Sequence, residues 1–147
     1  FMNQLLKDII YIRHEDALKL SIPLILSRIK AGFPSPAEDY VEGKLDFNEY
    51  LVKHPAATFC VRVSGDSMIE AGINQNDILV VDRSLNPKNN NIVIAVIDGE
   101  LTVKILHYDN SGIFLVAANK NFNVKKITPD MNFEVWGTVT HVIKDVL

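Results

Sequence analysis

Three features that would point to an exported or membrane protein are missing from this sequence of 147 residues. Cys60 is the only cysteine, so no disulfide can form within the chain, and a reducing compartment is its natural environment. No apolar run approaches the ~20 residues that span a bilayer, and the first residues lack the basic, apolar and small-residue order of a secretory signal. These absences predict a cytoplasmic protein with no membrane contact.

Positive charge is also scarce, since 15 Lys and Arg face 18 Asp and Glu and the formal net charge is −3. Residues 1–31 hold five basic and three acidic residues, which leaves ten basic and fifteen acidic residues for positions 32–147. Nucleic-acid binding relies on clustered Lys and Arg that displace counterions from phosphates. We therefore expect no direct, specific binding to DNA.

The residue patterns that hold cofactors are missing as well. The chain has no Gly-rich phosphate loop. Its four histidines, His14, His54, His107 and His141, are dispersed, and with a single cysteine they do not make the spacing of a metal site. None of them stands in the context of a catalytic triad. We predict neither a cofactor nor a metal, and we expect no histidine to be catalytic.

What is present is the composition of one folded domain, with 48% hydrophobic and 22% charged residues. From Thr58 onward apolar residues recur at every second position, which is typical of half-buried strands. The pattern predicts strands at about 57–64, 77–82, 91–98, 100–107, 112–118 and 133–144. Asp98-Gly99 is a two-residue hairpin signal between two of these strands. The expected fold is mainly β.

The amino-terminal part of the chain follows other patterns. Apolar spacing predicts a helix within residues 4–20, and Pro23 prevents its continuation. Residues 24–36, which include Ala31-Gly32, then favour an extended and exposed path of the kind that a protease needs in its substrate. Capping signals predict two short helices, one from Pro36 to about Val41 and one after Asp46 that ends before Pro55.

A serine in a turn and a lysine in a strand are the candidate catalytic residues. Ser67 lies in the Ser-Gly-Asp-Ser-Met segment 64–68, and Lys104 follows 37 residues later in a valine-rich strand. A serine hydroxyl becomes a nucleophile when a base takes its proton, and a lysine can be that base when burial lowers its pKa. Backbone N–H groups near Asp66 and Ser67, at the start of a helical turn, could bind the developing oxyanion. The pair therefore suits a serine protease.

Each residue also has a simpler interpretation. Asp66 or Ser67 could cap a helical turn over residues 68–71 that ends at Gly72. Lys104 could cover a sheet face with its stem and keep its ammonium group in water. Cys60 could be a small core residue. A Gly-Asp-Ser triplet occurs in many turns, so these residues alone leave the alternatives open.

Four motifs in order resemble the LexA/UmuD family of self-cleaving serine peptidases (S24-type), most closely its UmuD branch. They are residues 31–37, 64–68, 77–82 and 98–104, and the resemblance covers about residues 30–146. It implies a compact β peptidase domain of the signal-peptidase type, with two short helices and an extended amino-terminal arm. It also implies a catalytic dyad of Ser67 and Lys104 that cuts between Ala31 and Gly32, which removes the arm, residues 1–31, from the domain, residues 32–147.

The resemblance further implies a cellular role and partners. In this family a RecA filament on single-stranded DNA stimulates the cleavage after DNA damage, as part of the SOS response. The shortened product forms a homodimer and joins a UmuC-type DNA polymerase in error-prone translesion synthesis. These partners follow from the resemblance and not from the composition or periodicity of the chain.

Three other functions compete with this prediction. Repressors of the family carry a winged helix-turn-helix before the cut, whereas residues 1–31 are too few for one and lack a basic recognition helix. A catalytically inert, dimeric polymerase-binding module would keep the fold without the cleavage. A signal-peptidase-like enzyme would use the same dyad, but it normally needs a membrane anchor. We therefore predict a serine endopeptidase that acts mainly on itself.

Overall fold

The structure is a computed structural model that describes residues 21–25 and 41–147. Strands dominate these residues, so the predicted mainly β fold is confirmed. The strands are β1 (Ser21–Ile25), β2 (Val41–Asp46), β3 (Thr58–Arg62), β4 (Ile78–Asp82), β5 (Ile92–Ile97), β6 (Glu100–Asp109), β7 (Gly112–Val116), β8 (Lys125–Lys126) and β9 (Phe133–Ile143). The helical elements are α1 (Phe47–Leu51) and two 3₁₀ turns, Pro55–Ala57 and Ile69–Ala71.

Seven of the described strands form one antiparallel sheet in the order β3-β4-β9-β5-β6-β7-β8, and β1 pairs with β2 in a separate two-stranded sheet. Each of the six strands predicted after residue 57 is confirmed, with bounds that differ by a few residues. The predicted turn at Asp98-Gly99 joins β5 to β6, and both residues have positive φ, 49° and 85°, as a tight hairpin turn requires. This turn sets the register in which Lys104 lies opposite Val93.

The core lies on both sides of β5, the strand at the centre of the large sheet. Successive side chains of a strand point to opposite faces, so a strand that is buried throughout supplies both clusters. Ile94 and Val96 belong to the first cluster, with Phe59, Val63, Met68, Ile73, Leu79, Val81 and Trp136. Val93 and Ala95 belong to the second, with Leu106 and Leu115.

Two of the local predictions need correction. Cys60 is exposed and is not a core residue, because its neighbour Phe59 is buried and the strand alternation turns Cys60 to the other face of β3. The short helix predicted from residue 36 lies outside the described residues apart from its last position, Val41, which begins β2 instead.

The other helix predictions have different outcomes. The helix after Asp46 is confirmed as α1, and the Asp46 side chain accepts a hydrogen bond of 2.9 Å from the Asn48 N–H at its start. The helix predicted within residues 4–20 lies outside the described residues. In the part of the chain that the structure covers, no helix has the length and apolarity to cross a bilayer.

The contact of β9 with β4 depends on the absence of a side chain at Gly137. A methyl group at this position would lie 2.7 Å from Val81 Cγ1 and 3.1 Å from the Asp82 carbonyl oxygen. Val81 is fully buried, so its side chain could shift only by displacing other residues of a close-packed core. We therefore expect Gly137→Ala to lower the free energy of unfolding by about 1–3 kcal/mol, as measured by urea denaturation.

Gly43→Ala is the matched control, since no atom lies within 4 Å of a methyl group placed on this strand residue. Its effect should stay within about 0.5 kcal/mol. Equal stability of the two variants would show that the close approach at Gly137 does not constrain the sheet.

Candidate active site

A loop between β3 and β4 carries Ser67 and is fixed at both of its ends. At the start, Val63 N–H donates to the Asp77 carbonyl and Asn76 N–H donates to the Val63 carbonyl, both at 2.8 Å. Within the loop, Met68 is 1% exposed and Ile73 is fully buried. These apolar anchors hold the loop against the first core cluster and leave the neighbouring Ser67 half-buried.

The helical turn that follows Ser67 differs from the capping alternative. It is a 3₁₀ turn, Ile69–Ala71, whose N-cap position is Met68 and which has no side-chain cap hydrogen bond. It ends at Gly72, which has a φ of 76°, in the left-handed region where glycine is favoured. Capping is therefore not the role of the Ser67 hydroxyl.

Instead, Lys104 contacts the Ser67 hydroxyl across 37 residues of sequence. The Lys104 Nζ donates to Ser67 Oγ at 3.0 Å, to Thr102 Oγ1 at 2.9 Å and to the Val103 carbonyl at 3.0 Å. The structure thus brings together the two residues that the sequence analysis paired. The Lys104 ammonium group thus makes three hydrogen bonds to protein oxygens. A lysine that only covered a sheet face would keep its ammonium group in water instead.

Burial lowers the pKa of Lys104 below its usual value, because the charged form loses hydration in the half-buried site. A larger fraction of this lysine is therefore neutral at a given pH than of a lysine in water. A neutral amine within hydrogen-bond distance of a serine hydroxyl can accept its proton. Thr102 and Val103 supply acceptors for the remaining N–H groups and so orient the nitrogen.

The segment after β7 holds the serine loop from the other side. Asn119 is 5% exposed, and its Nδ2 donates to the Asp66 carbonyl at 2.9 Å. Glu70 N–H donates to the Ala118 carbonyl at 2.8 Å, and a Glu70 carboxylate oxygen accepts from Lys120 N–H at 2.7 Å. The catalytic candidates are therefore positioned by β6, by the loop between β3 and β4 and by the segment after β7.

The sequence analysis missed two residues of this site. Thr102 lies two residues before Lys104 in β6, so strand alternation alone places both side chains on the same face and could have identified it. Asn119 lies 53 residues from Asp66 in a segment without regular secondary structure, and no local pattern indicates its contact.

The other predicted site residues are Asp66, Ala31 and Gly32. Asp66 lies in the exposed part of the serine loop, next to Ser67. Ala31 and Gly32 lie outside the described residues, in the segment 26–40 that joins β1 to β2.

His54 makes a part-buried contact away from this pair, and its own side chain is 51% exposed. His54 Nδ1 lies 2.6 Å from Asp82 Oδ2, and Ser84 Oγ donates to the other oxygen of the same carboxylate at 2.6 Å. The carboxylate thus stands between serine and histidine, whereas a hydrolase triad needs the histidine between the other two.

Among residues 21–25 and 41–147, no group of three His, Cys, Asp or Glu side chains is arranged to hold a metal ion.

Comparison with known proteins gives matches over most of the chain. The Peptidase S24-like family matches residues 23–140. Protein MucA of Salmonella typhimurium is 49% identical over 122 residues, which cover 82% of this chain and 83% of that protein. Protein ImpA of Salmonella typhimurium is 48% identical over 122 residues and 82% of each chain.

The LexA repressor of Clostridium perfringens is 33% identical over 115 residues, which cover 78% of this chain and 56% of the repressor. The serine and lysine motifs, 64–68 and 98–104, both fall within the stretch that the family matches. Because that stretch spans most of the chain and two relatives are nearly half identical to it, the chain belongs to the Peptidase S24-like family, as its four motifs predicted.

Proposed function

We propose that this protein is a serine endopeptidase that cuts its own chain between Ala31 and Gly32, with Ser67 as nucleophile and Lys104 as base. The observation that carries the proposal is the 3.0 Å contact between Lys104 Nζ and Ser67 Oγ in a site that lowers the pKa of the lysine. Membership in a peptidase family supports it. The cut would divide the chain into an arm, residues 1–31, and a β domain, residues 32–147.

The reaction begins with proton transfer. Neutral Lys104 takes the proton of the Ser67 hydroxyl as Oγ attacks the Ala31 carbonyl carbon and forms a tetrahedral oxyanion. Backbone N–H groups at Asp66 and Ser67 stabilise that negative charge. When the oxyanion collapses, the Ala31–Gly32 C–N bond breaks and the Gly32 amine takes the proton from the Lys104 ammonium group.

Water completes the reaction. It loses a proton to neutral Lys104 as its oxygen attacks the acyl ester between Ala31 and Ser67, and the ester bond then breaks. Lys104 returns its proton to Ser67 Oγ, and Ala31 leaves as a carboxylic acid that gives its proton to the solvent. A scissile glycine lets the substrate backbone approach Ser67 closely.

The cellular role that we propose is in SOS mutagenesis. The similarity to MucA and ImpA extends over more than four-fifths of both chains, and the LexA repressor shares the peptidase region. The cleaved form would act as a homodimer with a UmuC-type polymerase in translesion synthesis, and a RecA filament on single-stranded DNA would stimulate the cut. The net charge of −3 fits a protein that meets DNA through such partners.

Self-cleavage is the first prediction. The full chain, incubated at pH 9 to 10, should give two fragments by mass spectrometry, one that ends at Ala31 and one that begins at Gly32. Ser67→Ala should slow the cut by more than about 10³-fold, because the nucleophile is lost, while the thermal unfolding temperature stays unchanged. An unchanged mass in a folded chain would instead identify an inert binding module.

The rate of the cut should depend on pH through Lys104. Since neutral lysine is the base, the rate should rise about tenfold per pH unit below the folded-state pKa of Lys104 and level off above it. Thr102→Val should move the midpoint of this pH-rate profile to lower pH. The reason is that the Thr102 hydroxyl stabilises the ammonium form of Lys104 more than its amine form. A rate that stays flat across the pH range in which Lys104 titrates would exclude Lys104 as the base.

The protonation of Lys104 can also be followed directly. In Ser67→Ala, which cannot cut itself, the ¹³Cε resonance that disappears on Lys104→Met should titrate below the usual lysine range, because the site desolvates the ammonium group. A midpoint in the usual range, near ~10.4, would show that this lysine is fully solvated.

A further inference from the structure

Asn119 holds the one carbonyl group whose orientation decides where the Ser67 N–H points. The Asp66 carbonyl oxygen accepts from Asn119 Nδ2 at 2.9 Å and, more weakly, from Ile69 N–H at 3.4 Å. The peptide between Asp66 and Ser67 is trans, so its C=O and N–H point in opposite directions. A carbonyl that is bound to Asn119 therefore directs the Ser67 N–H away from Asn119.

The described residues leave that N–H available to a substrate. No described residue accepts a hydrogen bond from Ser67 N–H, although the backbone N–H groups of Ile69, Glu70, Ala71, Gly72 and Ile73 all donate to carbonyls of the described chain. A donor without a protein partner, on the nucleophile itself, is the group that an oxyanion hole needs. Its direction must be fixed before the reaction, because reorienting a dipole during the reaction would raise the barrier.

Asn119 is itself well fixed. It is 5% exposed, its Oδ1 accepts from Asn121 N–H at 3.0 Å and its carbonyl accepts from Phe122 N–H at 3.0 Å. The adjacent contacts of Glu70 with Ala118 and Lys120 tie the same segment to the serine loop. The side-chain amide thus has one orientation, with its oxygen used inside the turn and its nitrogen directed at Asp66.

We infer that Asn119 is a positioning residue that orients the Ser67 N–H as an oxyanion donor. The inference rests on the proposed self-cleavage and assigns to Asn119 a part in it that is separate from the dyad. Asn119 touches neither Ser67 Oγ nor Lys104 Nζ through any hydrogen bond of the described residues, so it acts on the oxyanion and not on the nucleophile or its base.

The first experiment compares Asn119→Leu with the parent chain. Leucine has a similar volume and lacks the donor, so the Asp66 carbonyl loses its partner. Self-cleavage should slow by about 10- to 100-fold, somewhat less than the loss of a direct oxyanion donor, and the midpoint of the pH-rate profile should not move. Asn121→Leu is the matched control in the same turn, because its side chain is exposed, and it should cut at the parent rate.

A second experiment separates the oxyanion from the nucleophile. In a Cys60→Ser, Ser67→Cys background, iodoacetamide alkylates residue 67 by direct displacement, which forms no oxyanion. Asn119→Leu should leave this alkylation rate within about twofold of its background, since removal of a positioning residue affects the oxyanion step alone. Parallel losses of alkylation and cleavage would overturn the inference and reduce Asn119 to a support of the whole loop, as would cleavage of Asn119→Leu at the parent rate.

Amide NMR spectra test the inference without a cleavage assay. Asn119→Leu should shift the ¹H–¹⁵N resonance of Ser67 more than that of Ile73, whose N–H stays bound to the Met68 carbonyl within the serine loop. An unshifted Ser67 resonance would overturn the positioning role whatever the cleavage assay shows. A parent chain that does not cut, together with a shifted Ser67 resonance, would overturn the proposed function and leave the orienting contact standing.

Discussion

The hydrogen bond between Lys104 Nζ and Ser67 Oγ sets the demands that the rest of the site must meet. A lysine in water is charged and cannot accept a proton, so the site has to withdraw hydration from the ammonium group without leaving its N–H groups unpaired. The protein meets both demands within β6, where Thr102 and Val103 provide two acceptors and partial burial lowers the pKa. The serine provides the third acceptor.

This arrangement explains why the sheet order matters for function. The hairpin turn at Asp98-Gly99 fixes the register of β6, and thus the position of Lys104 along this strand relative to β5. The serine loop leaves β3 at the far edge of the same sheet and is anchored in the core by Met68. Asn119 donates a hydrogen bond to the Asp66 carbonyl and so holds the loop from its other side. In the proposed reaction these three supports would hold base, nucleophile and oxyanion donor in place before a substrate arrives.

Features that depend on neighbouring residues could be predicted from the sequence, and of the tertiary contacts at the site only the pairing of Ser67 with Lys104 was predicted. Alternation of apolar residues identified the six long strands, and the Asp98-Gly99 pair identified the hairpin. The two-residue strand β8 is too short to show an alternation of apolar and polar residues. Local preference alone left a capping serine open, and the motifs that resemble the peptidase family indicated its lysine partner 37 residues away. Asn119 was not predicted because its partner is a backbone carbonyl. Every residue has such a group, so no residue type in the sequence indicates the contact.

The central claim is that the neutral form of Lys104 is the base for Ser67. The most direct test is to measure two midpoints under the same conditions, that of the pH-rate profile of self-cleavage and that of the Lys104 ¹³Cε titration in Ser67→Ala. The proposed role of Lys104 predicts that the titration midpoint lies within about one pH unit of the rate midpoint and on its lower side, because one protonation step governs both and Ser67→Ala lacks one acceptor for the ammonium group. Midpoints that differ by more than about two units would contradict it, since another group would then control the cut.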